Sequence, residues 1–71
     1  MMLTTKAEAL FVSALQPSDH YDRAEVDAAI DNSLRAYGGA DGCAQRLAAE
    51  FGDHPETAVS RMRWALWAVT P

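Results

Sequence analysis

The chain has 71 residues, one cysteine and a formal net charge of −4, with ten acids against six bases. That length allows one domain, 1–71, near the lower limit for a single core without staples, and a lone cysteine rules out an intramolecular disulfide, so a reducing, cytoplasmic compartment is expected. The acidic balance argues against non-specific binding to nucleic acid or anionic membrane, and no apolar run approaches the roughly 20 residues of a membrane span.

The Met1–Met2–Leu3 start lacks the basic region and long apolar run of a secretory signal. The first helix is expected over 4–15, TTKAEALFVSAL. Thr5 and Glu8 have the spacing of a capping box, and Pro17 ends the run. Leu3, Ala7, Leu10, Phe11 and Ala14 share one face, which makes this a docking helix. Gln16 to His20 is a short connection with turn chemistry from Pro17, Ser18 and Asp19. The second helix is expected over 21–37, with Asp22 and Glu25 as a capping pair and Gly38–Gly39 as a left-handed stop. Val26, Ala29, Ile30, Ser33, Leu34 and Tyr37 line its apolar face. Asp27, Asp31 and Arg35 line the other, where Asp31 and Arg35 are placed to pair. The stretch from Asp19 to Asp31 is the most acidic part of the chain: a solvated face, or a docking site for a basic partner.

A third helix is expected over 42–51, capped by Asp41 and stopped by Gly52. Cys43, Leu47 and Phe51 stack at four-residue steps, so the thiol should point inward and be inert. The fourth helix is expected over 55–70, capped by Asp53, with Pro55 in the first turn, where no backbone N–H is needed. At about 100° per residue, Ala58, Val59, Met62, Ala65, Leu66 and Val69 fall within roughly 60° of Met62, and Ser60, Trp64 and Trp67 fall opposite. Leu47, Phe51, Met62 and Leu66 are therefore expected to be buried together between the third and fourth helices, with Ile30 and Leu34 closing the core. The two tryptophans need a cover of their own. Leu10 and Phe11 of the first helix are the best complementary surface, from the same chain or a second copy; otherwise the cover is another molecule.

Catalytic chemistry has no foothold. His20, His54 and Cys43 share no metal-ligand spacing, and no serine has a nucleophile context. No glycine-rich phosphate loop opens a helix, and carboxylate pairs occur only on open helix faces. No enzymatic activity, cofactor, metal or small-molecule ligand is expected.

Residues 44–66 read AQRLAAEFGDHPETAVSRMRWAL. An alanine midway in one helix, a glycine four residues on and a T-A-V-S-R run opening the next helix follow helix-turn-helix logic. Ala48, Gly52, Thr57, Ala58, Ser60, Arg61, Met62 and Ala65 stand in the register of the C-terminal region 4 of sigma factors, which this third of the chain resembles. Asp53 and Trp64 depart from that pattern: an apolar turn residue and an arginine are common there. The resemblance implies a compact three-helix unit of helix-turn-helix type, and Gln45, Arg46, Thr57, Ser60, Arg61 and Arg63 as the residues that would meet nucleic acid. The whole chain is also similar to short helical proteins of high-GC Gram-positive bacteria, a likeness that implies no function.

The expected architecture is all-α: four helices, the last one central, arranged as a helix-turn-helix-like unit of three plus an N-terminal docking helix. The expected function is a non-enzymatic protein-interaction module, an adaptor or regulator, using Trp64, Trp67, Ser60, Arg63, Leu10 and Phe11 to bind a protein partner or a second copy of itself as a homodimer. The alternative is a DNA-binding helix-turn-helix transcriptional regulator.

Overall fold

A computed structural model describes residues 1–71 as four α-helices: α1 (Leu3–Phe11), α2 (Arg23–Tyr37), α3 (Ala40–Asp53) and α4 (Pro55–Val69). The expected all-α, four-helix architecture is observed. No helix is long and apolar enough to cross a membrane.

Helix ends follow local chemistry in α2 and depart from it elsewhere. The Asp22 carboxylate accepts from the Glu25 N–H at 2.9 Å and caps α2. Gly38 then turns left-handed at φ 80°, and the Gly39 N–H closes the end onto Leu34 O at 2.7 Å. In α1 the capping box is not used: the helix starts at Leu3 with Met2 at the cap, and no side chain bonds there. It also stops at Phe11, four residues early, because Ser13 draws the chain into a turn. The Ser13 hydroxyl donates to Leu10 O at 2.6 Å and accepts from the Leu15 N–H at 3.2 Å.

The third helix is longer than expected at both ends. Gly39, not Asp41, is its N-cap, and Gly52 lies inside it instead of stopping it. His54 alone separates α3 from α4, so Asp53 ends α3 and leaves α4 with no side-chain cap. Gly42 has a tertiary role that its sequence position hides. A Cβ there would lie 1.4 Å from the Tyr37 carbonyl oxygen, so only glycine lets α3 start this close to the end of α2.

α1 is the most buried helix. Ala7, Ala9 and Leu10 are fully enclosed and Phe11 nearly so, and α1 packs against each of the other three helices, α4 most extensively. α2 and α4 meet only marginally. The sequence suggested a central α4 with α1 laid on its surface; instead α1 fills the centre, and the short side chains of Ala7, Ala9, Ala58 and Ala65 let α1 and α4 approach closely.

That approach turns α4 about its axis. Its buried side is centred among Ala58, Arg61 and Ala65, roughly 65° around the helix from Met62. The expected cluster of Leu47, Phe51, Met62 and Leu66 is corrected accordingly. Leu47, Phe51 and Met62 are half-buried at the edge of the core, and Leu66 and Val59 are 43% and 42% exposed. Phe51 instead stacks on Phe11, centroids 5.7 Å apart. A Phe51→Ala variant should therefore lose about 2 kcal/mol, below the 3–5 expected for a fully buried ring, and stay helical by circular dichroism.

Cys43 points inward as expected, and its thiol donates to Ser33 O at 3.6 Å. Burial, and secondarily the charge of Glu8, pushes its pKa above the ordinary value, so less thiolate is present at any given pH. Alkylation by a maleimide at pH 7.5 should be slow in the folded protein and fast in denaturant. Equal rates would place the thiol outside the core.

Candidate protein-docking site

The two tryptophans have different fates. Trp64 is half-buried, and its indole N–H donates to the Tyr21 hydroxyl at 2.9 Å, with the two rings edge to face. Its cover is thus Tyr21, from the connection between α1 and α2, together with the Arg61 guanidinium 4.9 Å from its ring centroid. Trp67 remains 72% exposed. The expectation that helix one covers both rings is corrected: Leu10 and Phe11 are core residues with no surface to offer a partner, and Trp67 has no such cover.

Arg61 accounts for much of this arrangement. Its Nε donates to Phe11 O at 2.7 Å, and its Nη2 donates to Ser13 O at 3.0 Å and Leu15 O at 2.9 Å. Nη1 reaches Gln16 Oε1 at 3.5 Å. The end of α1 leaves carbonyls without intrahelical partners, and one planar fork gathers three carbonyls of this segment. The guanidinium also lies over the Phe11 ring. Burial lowers its pKa and the nearby Glu50 carboxylate opposes that shift; arginine nonetheless stays charged.

The residues named for nucleic acid are consequently divided. Arg61 is spent on α1, while Arg63, two positions on and about 200° around the helix, points to solvent. Arg46 lies over the Tyr37 ring at 5.2 Å. Gln45, Thr57 and Ser60 are exposed. The expected stacking of an arginine on a tryptophan occurs, between Arg61 and Trp64 and not between Arg63 and Trp67. On α2, Arg35 donates to Asn32, not to Asp31.

What the fold brings together on its outside is the solvent face of α4. Val59, Arg63, Leu66 and Trp67 follow at i, i+4, i+7 and i+8 and so adjoin one another. Three of them are exposed apolar side chains. The other five aromatic residues, Phe11, Tyr21, Tyr37, Phe51 and Trp64, are all buried or half-buried. Trp67 and Arg63 are legible in the sequence, but periodicity alone places Val59 and Leu66 in the core, because it does not say which of two apolar stripes a neighbour will cover. No family model, curated protein or solved structure matches the chain, so the reading of this face rests on its own residues.

Proposed function

We propose that this protein is a non-enzymatic interaction module, an adaptor or regulator, that docks a protein partner on the solvent face of α4. The observation that carries the reading is Trp67, 72% exposed beside Leu66 and Val59, in a domain that tucks away every other aromatic ring. A large indole left in water contributes little to the fold, whereas Trp and Arg side chains dominate the energetics of protein interfaces. A single buried thiol suits a reducing cytoplasm.

The test separates binding from folding. A Leu66→Ser, Trp67→Ser double variant should keep the helical circular dichroism of the parent and melt within a few degrees of it, because surface substitutions typically cost under about 0.5 kcal/mol each. In-cell cross-linking should then show partner adducts with the parent and none with the variant. Adducts retained by the variant would refute docking on this face. A DNA-binding regulator is the competing reading. On the present one, binding to random duplex DNA at about 150 mM salt should be undetectable in the micromolar range. Submicromolar binding lost in Arg63→Ala would favour the DNA-binding regulator, and Arg63 is the suitable position to change because Arg61 supports the fold.

A further inference from the structure

The solvent face of α4 combines three exposed apolar side chains with a cation, and that combination narrows the partner. Arg63 is exposed, and its neighbours one turn away are Val59 and Ser60 on one side, Leu66 and Trp67 on the other. None is acidic, in a chain where acids outnumber bases ten to six. The guanidinium–aromatic contacts within the chain belong to Arg46 and Arg61, and the guanidinium hydrogen bonds to Arg35 and Arg61.

We propose that this face receives an amphipathic helix from another protein, one that carries a carboxylate among its apolar residues, placed to meet Arg63 while its apolar residues cover Val59, Leu66 and Trp67. The proposal rests on the docking reading above and adds the chemistry of the partner. Exposed apolar residues at i, i+7 and i+8 match the spacing by which two helices pack. A cation at their centre needs an opposite charge once water is displaced, since a desolvated, unpaired guanidinium is costly.

A second copy of this chain does not meet that need while also covering the apolar residues: opposing Arg63 to Glu56, two turns before it on the same face, centres the paired helices on Val59 and Ser60 and leaves Leu66 and Trp67 beyond the start of the other copy's α4. In an antiparallel pairing of α4 with itself, setting Val59 against Leu66 of the other copy puts the two-fold axis between Met62 and Arg63. Setting Val59 against Trp67 puts it on Arg63 itself. Either register brings two guanidinium groups together. The exposed acids Asp27 and Asp31 of α2 could offer carboxylates, but the exposed hydrophobic residues of α2 are alanines, too small to cover an indole.

Two synthetic helical peptides with the same leucine face, one with glutamates flanking it and one with lysines, test the proposal against the full-length chain. The readout is the Trp67 indole N–H signal in a nitrogen–proton correlation spectrum, assigned with a Trp67→Phe variant. The net charge of −4 attracts the lysine peptide, so general electrostatics and the local contact with Arg63 oppose each other. The Leu/Glu peptide should shift the Trp67 signal and bind about tenfold more tightly than the Leu/Lys peptide, and Arg63→Glu should invert that order. Equal affinities, or preference for the lysine peptide with the Trp67 signal still shifting, would overturn the acidic partner and leave docking on this face intact. No shift with either peptide also overturns the proposal, and docking is then decided by the cross-linking result. A dimer in sedimentation that dissociates on Trp67→Ser would replace the foreign helix with a second copy.

Discussion

Replacing Arg61 with alanine is expected to lower the stability of this domain by about 3 kcal/mol or more. The guanidinium donates to the carbonyls of Phe11, Ser13 and Leu15, and a hydrogen bond from a charged donor contributes about 1.5–3 kcal/mol. The losses are not additive, because some of the freed carbonyls can reach water. For a domain of this size 1 kcal/mol moves the melting temperature by roughly 4–8 °C, so the midpoint should fall by more than about 12 °C. Arg61→Lys should restore only part of this, since a single ammonium cannot reproduce a planar fork that bonds in several directions. Thermal melts followed by circular dichroism decide the matter. A midpoint within a few degrees of the parent would mean that the end of α1 is held by other means. Trp64 emission supplies a second readout: once the guanidinium and the connection bearing Tyr21 loosen, it should shift to the red.

Leu10→Ala is expected to be the most damaging truncation of an apolar side chain. Leu10 is a fully buried side chain, on the helix that touches all the others. A buried Leu→Ala change costs about 2–5 kcal/mol through lost transfer energy and the cavity it leaves. A chain this short commonly has only a few kcal/mol to lose. The variant should therefore lose the signals of all four helices in one transition, not those of α1 alone. Leu66→Ala, on the solvent face of α4, is the control and should cost less than about 1 kcal/mol. Similar losses at the two positions would mean that α4 buries the face on which periodicity alone places Leu66.

α1 therefore cannot be removed to uncover the tryptophans, as a peripheral docking helix could. Deleting its residues would take away Ala7, Ala9, Leu10 and Phe11 together and dismantle the core before it exposed Trp64.

Local chemistry in the sequence determined what depends on a few consecutive residues. The four helices, the Asp22 cap and Gly38 stop of α2, the first-turn Pro55 and the inward thiol of Cys43 all follow from periodicity and capping rules that act within one or two turns. The exposure of Trp67 was legible as a question, since a second apolar face needs either a cover or a partner. Only the tertiary structure decided which helix is central, which way α4 is turned and which tryptophan stays in water. α1 takes the centre because its alanines permit close contact on several sides, and a property set by the neighbours' shapes is not encoded in the helix's own period. α4 turns toward Ala58 and Ala65 because Arg61, which reads as a surface arginine along the sequence, finds in space the carbonyls that the end of α1 leaves open, 46 to 50 positions earlier in the chain. Together with the close approach of the α1 and α4 alanines, that long-range contact keeps Leu66 and Val59 out of the core. The same rotation leaves Trp67 beside them, with Arg63 between, as a single exposed face.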